Sequence, residues 1–278
     1  MTVQHDIAGL QDGRAGGIRY LRRPGDVVHG TLVLLHGVGS NAFSFAPLMA
    51  ASPATIDVIA WNAPGYAGST ALPVAAPQPR DYADALAAFL DELGLKRIAL
   101  AGHSLGALFA ASFAANHPGR VTALALLSPA LGYAVAPGAA WPAGLQARLA
   151  EFEELGPEAF AARRARRLVA RPDQNPQIVN AVQNAMANLD PAGYRQAVAA
   201  LAAGSLFADL ARIAAPTLIA VGTEDVVTPP EGARRAYAWL RTAAGLHEIA
   251  GAGHACPQEA PAALAALLTQ MAMDAAHA

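Results

Sequence analysis

Short, mostly apolar runs recur along the chain, each bounded by charged or turn-forming residues. Runs of this kind are typical of strands buried in a parallel sheet. We predict strands at 18–23, 31–35, 56–61, 98–101, 121–127, 216–221 and 246–250. Apolar residues at helical spacing predict helices at 41–49, 79–93, 104–116, 229–240 and 261–273. This alternation predicts an α/β fold with a mostly parallel central sheet and helices on both faces.

The pattern changes between residues 131 and 205, where helical spacing continues without a strand-like run. Four helix-like segments follow one another at 145–155, 157–169, 176–189 and 191–203. Proline is the first residue of three of these segments, and proline is favoured in the first turn of a helix. Because a block of helices cannot lie inside a sheet, we predict that residues 131–205 form an all-helical cap, or lid, over the strand ends. The α/β core then consists of residues 1–130 and 206–278.

A run of arginines lies within the predicted cap, at positions 163, 164, 166, 167 and 171. Such a run can bind the carboxylate of a ligand, or it can form a solvated helix face, which is the commoner outcome. The sequence leaves both interpretations open.

Composition and charge narrow the class of protein. Of the 278 residues, 54% are hydrophobic and 14% are charged, which is enough for a large core. A net charge of −2 gives no reason to expect nucleic acid or a membrane surface as a partner. No apolar run reaches the roughly 18 residues of a membrane span, and residues 1–6 lack the pattern of a secretory leader. A single cysteine cannot form an internal disulfide, so we expect a cytoplasmic protein.

The strongest candidate chemistry lies in Gly102-His103-Ser104-Leu105-Gly106, between a predicted strand and the following helix. The match to G-x-S-x-G predicts a sharp turn that lifts Ser104 above the sheet on a strained backbone. A Cβ at Gly102 or Gly106 is expected to collide with a neighbouring element. The turn also directs the Leu105 N–H, at the positive end of the helix, towards whatever Ser104 attacks. An ordinary strand–helix turn is the alternative, and the partners of Ser104 decide between the two.

A serine hydroxyl becomes a good nucleophile only when a base takes its proton, and a neutral imidazole does this near pH 7. The imidazole in turn needs a carboxylate on its other nitrogen. In this architecture the acid and then the histidine follow the serine, each in a loop after a later strand. Asp225 and His254 occupy those loops, so we predict a Ser104–Asp225–His254 catalytic triad. Glu224 and Asp209 are the weaker candidates for the acid.

The loop after the strand at 31–35 begins His36-Gly37-Val38-Gly39. Its glycines let the backbone approach a ligand closely, which suits an oxyanion-hole loop with the Val38 N–H directed inward. A plain glycine-rich connection is the alternative. Ligands of a parallel α/β sheet bind beyond the carboxyl ends of its strands. We therefore expect His36, Gly37 and His103 to contact the substrate.

Together these motifs resemble the α/β-hydrolase fold superfamily, in the group with a helical cap after the sixth strand. The resemblance is carried by His36-Gly37-Val38-Gly39, Gly102-His103-Ser104-Leu105-Gly106, Gly222-x-x-Asp225-x-x-x-Pro229 and Gly253-His254, within residues 18–273. It implies an oxyanion hole formed by the Val38 and Leu105 N–H groups, and acyl transfer to Ser104 and then to water. We expect neither a cofactor nor a metal, because metal-ligand spacing and a phosphate-binding loop are both missing from the sequence.

The serine also limits the substrate. Haloalkane dehalogenases and epoxide hydrolases of this fold carry aspartate at the position of Ser104, so the serine implies attack on a carbonyl. The similarity to esterases and enol-lactonases favours a carboxylic ester or lactone of a small molecule. The alternatives are C–C bond hydrolysis of the aromatic meta-cleavage type, perhydrolysis, and a slow ligand-binding receptor of the same fold. We expect Phe160 and Met186 of the cap to line the acyl pocket, and a homo-oligomer is left open.

Overall fold

The computed structural model describes residues 9–26 and 30–276, so the N-terminal residues on which the expectation about a leader rests lie outside it. Its strands are β1 (Gln11–Ala15), β2 (Ile18–Arg23), β3 (Thr31–Leu35), β4 (Asp57–Trp61), β5 (Ile98–His103), β6 (Val121–Leu127), β7 (Thr217–Gly222) and β8 (Ala243–Ile249). They form one sheet in the order β1-β2-β4-β3-β5-β6-β7-β8. Every neighbouring pair from β4 to β8 is parallel, which confirms the predicted mostly parallel sheet.

The edge strand β1 is the one that the hydrophobic pattern missed. It forms an antiparallel hairpin with β2, which pairs antiparallel with β4. Four of its five residues are at least partly exposed, so it carries no apolar run. Backbone pairing with β2, rather than burial, defines this strand.

From β3 onward, each strand of the described chain is followed by at least one α-helix. These helices are α1 (Ala46–Ala51), α2 (Pro79–Glu92), α3 (Leu105–Asn116), α4 (Ala143–Arg164), α5 (Pro176–Ala187), α6 (Pro191–Ala203), α7 (Leu206–Leu210), α8 (Pro230–Ala238), α9 (Cys256–Glu259) and α10 (Pro261–Ala276). The backbone of α4 is not helical at Gly156, where φ is 71°, so its two halves match the two helices predicted there. Across residues 9–26 and 30–276, none of the helices is both long and apolar enough to cross a membrane.

Alternate residues of the buried strands face opposite sides of the sheet, and each side has its own apolar core. On β3, Val33 and Leu35 belong to a cluster that includes residues of α2, α3 and α8. Leu32 and Leu34 belong to a second cluster, which includes residues of α1 and α10. The sheet is therefore covered by helices on both faces, and the predicted α/β fold class is confirmed.

Helices α4, α5 and α6 lie between β6 and β7 in the chain, and we call them the inserted helices. A Cβ on Gly39, in the loop after β3, would lie 3.3 Å from Cγ of Met186 on α5. A Cβ on Gly193 of α6 would lie only 2.0 Å from the carbonyl oxygen of Gly65, in the loop after β4. These contacts place the inserted helices over the carboxyl ends of the strands, where a cap is expected. The cap boundaries at 131 and 205 stay a prediction.

Candidate active site

Ser104 occupies the sharp turn between β5 and α3. Its backbone has φ of 54° and ψ of −116°, which places this serine in the region that disfavours side chains. A Cβ on Gly102 would lie 2.2 Å from the Gly106 carbonyl oxygen, and one on Gly106 would lie 2.2 Å from the Leu35 carbonyl oxygen. Both glycines are therefore required by close backbone approach, as the motif predicts.

The structure brings Ser104, His254 and Asp225 together at the carboxyl edge of the sheet. His254 Nε2 lies 3.1 Å from Ser104 Oγ, and His254 Nδ1 lies 2.9 Å from Asp225 Oδ2. The three residues are 7%, 5% and 3% exposed, so bulk water does not compete strongly for these bonds. A carboxylate can only accept a hydrogen bond, so Nδ1 carries the hydrogen and Nε2 is free to accept the serine proton.

Asp225 is held in its charged form by the turn that follows β7. Its Oδ1 atom accepts the N–H groups of Val227 at 2.8 Å and Thr228 at 2.9 Å. Burial opposes the charge, but the hydrogen bond and charge of His254 and these two N–H donors lower the pKa of Asp225 to about 2. The carboxylate is therefore ionised at neutral pH, as a partner of an imidazole requires.

Thr228 is a member of this network that sequence reasoning missed. Its Oγ1 atom lies 2.9 Å from both Asp225 Oδ2 and the Ser128 carbonyl oxygen, and 3.1 Å from His254 Nδ1. The hydroxyl has one proton, so it donates to one of these two oxygens at a time. The signal in the sequence is weak, because only its place three residues after Asp225 distinguishes this threonine.

The other candidate acids are engaged elsewhere. Glu224 points away from the site and pairs with Arg171 at 2.8 Å, and its side chain is exposed. Asp209 pairs with Arg212 at 2.6 Å near the start of β7. The geometry therefore favours Asp225 over both.

Two backbone N–H groups are available beside Ser104. In the described part of the chain, neither the Val38 N–H nor the Leu105 N–H has a hydrogen-bond acceptor, and both residues line the cavity above Ser104. A Cβ on Gly37 would lie 3.0 Å from Ser104 Cβ, so a larger residue there would push the Val38 loop away from the serine. These two N–H groups can donate hydrogen bonds to an oxygen that becomes negative during a reaction, and so stabilise its charge.

His36 does not line the cavity, which corrects its expected contact with the substrate. Its Nε2 accepts the Ala63 N–H at 3.0 Å, and its Nδ1 lies 2.9 Å from the Gly37 carbonyl oxygen. Because Nε2 accepts, Nδ1 must carry the hydrogen and donate to Gly37. That carbonyl shares a peptide group with the Val38 N–H, which points the opposite way. His36 therefore orients the Val38 N–H from behind.

We expect His36→Gln to lower kcat for ester hydrolysis about 10- to 100-fold, because the Val38 N–H loses its orientation. The glutamine oxygen can still accept from Ala63, but the side-chain donor to the Gly37 carbonyl oxygen is lost, and of the two donors only the Ser40 N–H at 3.2 Å remains. His36→Asn is the matched variant, since its amide can donate to Gly37, and it should retain more of kcat. Steady-state kinetics on a 4-nitrophenyl ester separate the two, and equal losses would contradict the orienting role.

The same substitution has a consequence for stability. Burial lowers the pKa of His36 to about 4, whereas an unfolded histidine takes its proton near pH 6.5. Its contribution to the free energy of unfolding is complete above about pH 6.5 and declines as the pH falls towards 4. The urea midpoint of His36→Gln should therefore fall less over this interval than that of the wild type.

His103 lines the cavity, as expected, but its ring also supports the base. His103 Nε2 lies 2.8 Å from the His254 carbonyl oxygen, to which it donates. Burial, together with the nearby His254, lowers the pKa of His103 to about 3, so the ring is neutral. The His103 ring therefore fixes the backbone of His254, whose side chain is the candidate base.

The loop of His254 is also hydrogen-bonded to the segment after α4. The Ala255 N–H donates to a carbonyl of that segment at 2.8 Å. The Glu259 carboxylate accepts both the Ala170 N–H at 2.7 Å and the Gly253 N–H at 3.0 Å. Burial raises the pKa of Glu259, although the two N–H donors oppose the rise. The position of His254 thus depends on contact with the segment that joins α4 to α5.

A cavity of about 520 Å³ opens above Ser104, within the size range of small-molecule sites. Gly37 and Met186 line it, as expected. Phe160 does not, which corrects the other prediction for the acyl pocket. It is fully buried and packs edge to face against Phe152, with ring centroids 5.2 Å apart, so it belongs to the core of the inserted helices.

Groups of metal-binding side chains and Cys256 are the remaining features to describe near the site. Over the described residues, no three side chains of His, Cys, Asp or Glu come together as a metal site requires. Cys256 is buried, and its burial raises the pKa of the thiol to about 12. A thiol that stays protonated is a poor nucleophile. Ser104 is therefore the nucleophile that the geometry favours.

The comparison with known families identifies the class of protein. The family described as "alpha/beta hydrolase fold" matches residues 30–260, which is most of the chain. The chain therefore belongs to the α/β-hydrolase fold family and is a hydrolase of that fold.

Two solved structures share the fold over nearly the whole chain. An esterase from Thermogutta terrifontis, determined with malate bound, has a TM-score of 0.82 and 21% identity, and the match covers 96% of this chain and 99% of that one. The enol-lactonase from Burkholderia xenovorans LB400 has a TM-score of 0.78 and 21% identity, covering 96% and 100%. At this identity the likeness supports the fold alone.

Two curated relatives are similar in sequence. The "Putative carbamate hydrolase RutD" of Variovorax paradoxus (strain S110) is 29% identical over 262 residues, which cover 92% of this chain and 90% of that protein. The "2-hydroxy-6-oxononadienedioate/2-hydroxy-6-oxononatrienedioate hydrolase 2" of Pseudomonas putida is 35% identical over 109 residues, 37% of each chain.

Proposed function

We propose that this protein is a serine hydrolase that cleaves a carboxylic ester or lactone of a small molecule through an acyl-enzyme on Ser104. The observation that carries the proposal is the continuous hydrogen-bonded chain from Ser104 through His254 to Asp225, beside two free N–H groups and a small cavity. A structural role does not require this arrangement, and acyl transfer does.

In the first half-reaction, Ser104 Oγ bonds to the acyl carbon while its proton moves to His254 Nε2. The carbonyl oxygen becomes negative and is stabilised by the Val38 and Leu105 N–H groups, each contributing about 3 kcal/mol. The bond from the acyl carbon to the leaving oxygen then breaks, and that oxygen takes the proton from Nε2. The charge of Asp225 stabilises the imidazolium throughout.

In the second half-reaction, a water molecule gives a proton to His254 Nε2 as its oxygen bonds to the acyl carbon. The bond between that carbon and Ser104 Oγ then breaks, and the proton returns to the serine. The products are a carboxylic acid and an alcohol, or a single hydroxy acid from a lactone. Neither half-reaction needs a cofactor.

A second candidate function is hydrolysis of a C–C bond of the meta-cleavage type. The Pseudomonas putida relative supports it, because its name gives 2-hydroxy-6-oxo dienedioates as substrates. The similarity to the putative carbamate hydrolase supports a carbamate as a third type of substrate, which Ser104 would also attack at a carbonyl carbon. A slow receptor of the same fold uses the first half-reaction without efficient release. The cytoplasmic location and a homo-oligomer stay predictions.

A substrate panel with an active-site label tests the proposal. A fluorophosphonate should label Ser104 stoichiometrically, and His254→Ala should abolish labelling. The wild type should turn over short 4-nitrophenyl esters or lactones rapidly and leave a 2-hydroxy-6-oxo dienoate intact. Turnover of the dienoate alone favours the C–C hydrolase, and one labelling event per chain without release favours the receptor. Labelling that survives His254→Ala contradicts the role of that histidine.

A further inference from the structure

The segment that joins α4 to α5, residues 165–175, lies directly against the loop that carries His254, and we call it the joining segment. A Cβ on Gly253 would lie 2.7 Å from the Ala170 nitrogen and 3.1 Å from the Leu168 carbonyl oxygen, so no side chain fits between loop and segment. Ala170 is buried, although connections between helices normally lie on the surface. The backbone N–H groups at this contact therefore need acceptors within the protein.

A single carboxylate supplies the acceptors on both sides of the contact. Glu259 Oε1 accepts the Ala170 N–H at 2.7 Å, and Glu259 Oε2 accepts the Gly253 N–H at 3.0 Å. Over residues 9–26 and 30–276, neither N–H has another acceptor, and no basic side chain pairs with Glu259. Both carboxylate oxygens therefore hold the joining segment and the loop of the candidate base together.

These contacts fix the backbone on either side of His254. The Gly253 N–H before it is held by the carboxylate, and the Ala255 N–H after it donates to the Leu168 carbonyl oxygen at 2.8 Å. Both bonds connect the loop to the joining segment, either directly or through Glu259. His254 Nε2 takes the serine proton across 3.1 Å, so a displacement of this backbone by about 1 Å is enough to slow the reaction about 100-fold.

Glu259 itself lies away from the substrate. Neither Glu259 nor Ala170 belongs to the lining of the cavity among the residues that the structure describes. A further link between the joining segment and the site is the ion pair of Arg171 with Glu224, at 2.8 Å. Both side chains of that pair are exposed, so it contributes little. The half-buried carboxylate of Glu259 is therefore the stronger of these two links.

We propose that Glu259 is a positioning residue, whose carboxylate fixes the loop of His254 to the joining segment and thereby holds the imidazole beside Ser104. This inference rests on the proposed function of Ser104 and adds a link between the catalytic base and the inserted helices. The carboxylate takes no proton from the substrate and forms no bond to it. The base stays in place only while the joining segment remains packed against its loop.

Glu259→Gln tests the link with almost no change of shape. The amide has one oxygen and one NH2 group, so it can accept from only one of the two N–H donors and turns a donor towards the other. We expect kcat for 4-nitrophenyl butyrate to fall about 10- to 100-fold, while KM stays within about threefold because the cavity lining is unchanged. Fluorophosphonate labelling, followed to completion, gives the concentration of active sites, so kcat is expressed per site and a misfolded fraction cancels.

Two further variants make the test specific. Gly253→Ala keeps the carboxylate but places a methyl group against the Ala170 nitrogen, so it should also lower kcat per site at least about 10-fold. Glu224→Gln is the matched control, because it makes the same chemical change in the exposed link of the joining segment. Its kcat per site should change by less than about threefold.

A spectroscopic measurement separates positioning from a purely structural role. The proton on His254 Nδ1, bonded to the Asp225 carboxylate, should give a strongly downfield proton NMR signal, assigned by its loss in His254→Ala. We expect this signal to shift or broaden in Glu259→Gln and to stay unchanged in Glu224→Gln. An unchanged signal in Glu259→Gln overturns the proposal, as does a variant that loses only thermal stability and keeps kcat per site within about twofold of the wild type.

The same experiment distinguishes this proposal from the proposed function. A wild type that is labelled at Ser104 and hydrolyses the ester, with a Glu259→Gln variant of equal kcat per site, overturns the positioning role alone. A wild type that is neither labelled nor active overturns the serine hydrolase assignment, and the positioning role with it.

Discussion

Ser104→Ala is expected to lower kcat for ester hydrolysis about 10⁵- to 10⁶-fold, because the atom that would bond to the acyl carbon is lost. The cavity and the two N–H donors beside Ser104 remain, so binding of the ester should change little. Alanine and serine have similar backbone preferences at the φ of 54° found there, so the fold should tolerate the change. Steady-state hydrolysis of 4-nitrophenyl butyrate, with the uncatalysed rate subtracted, measures the effect.

Ser112→Ala is the matched control for this substitution. Ser112 is another buried serine and lies within α3, where its hydroxyl and carbonyl oxygens accept hydrogen bonds from Asn116 rather than from the site. Its replacement should leave kcat within about twofold of the wild type. A Ser104→Ala enzyme that is folded and keeps more than about 1% of kcat would contradict the acyl-enzyme, because such a loss is too small for removal of the nucleophile.

The sharp turn at Ser104 was predictable because its constraints are local. A strand that turns directly into a helix needs glycine two residues before and after the serine, and the close contacts of Gly102 and Gly106 show why. The order of acid and histidine along the chain follows from the parallel sheet, whose loops meet at one edge. Residues at large sequence separation could therefore be assigned to one site before their distances were known.

The wall of the cavity could not be predicted in the same way. Phe160 and Met186 are both apolar residues on helices, and the sequence does not distinguish a face that packs inside the inserted helices from one that faces the cavity. The arginines show the same limit, since adjacent Arg166 and Arg167 differ in whether a carboxylate lies within reach. Such distinctions depend on the three-dimensional partners.

Hydrogen-bond partners account for the remaining differences between the site predicted from the sequence and the site in the structure. His36 was expected at the substrate because it follows a strand end, but its ring is turned towards the Ala63 N–H in a different loop. The Thr228 hydroxyl lies within hydrogen-bond distance of both Asp225 and the Ser128 carbonyl oxygen, which lies at the end of a neighbouring strand. Neither contact leaves a periodic pattern in the chain, because each involves one side chain and one distant backbone group.

Asp225→Asn is expected to lower kcat about 10⁴-fold, and the surroundings of the acid explain why a nearly isosteric change has this effect. The Oδ1 position faces two N–H donors, from Val227 and Thr228, so the amide oxygen must lie there. The amide nitrogen then takes the Oδ2 position, opposite His254 Nδ1. A donor at this point forces Nδ1 to accept, which moves the ring hydrogen to Nε2, and Nε2 can no longer take the serine proton.

Glu224→Gln is the control, since it makes the same chemical change one residue earlier. Glu224 is exposed and pairs with Arg171 on the surface, so its replacement should change kcat by less than about threefold. The rate of fluorophosphonate labelling should fall with kcat in Asp225→Asn and remain near the wild-type value in Glu224→Gln. Because the pKa of Asp225 is held at about 2, its carboxylate stays charged throughout pH 5–9, and the loss should be present across that range. Comparable losses in both variants would contradict the assignment of Asp225 as the acid.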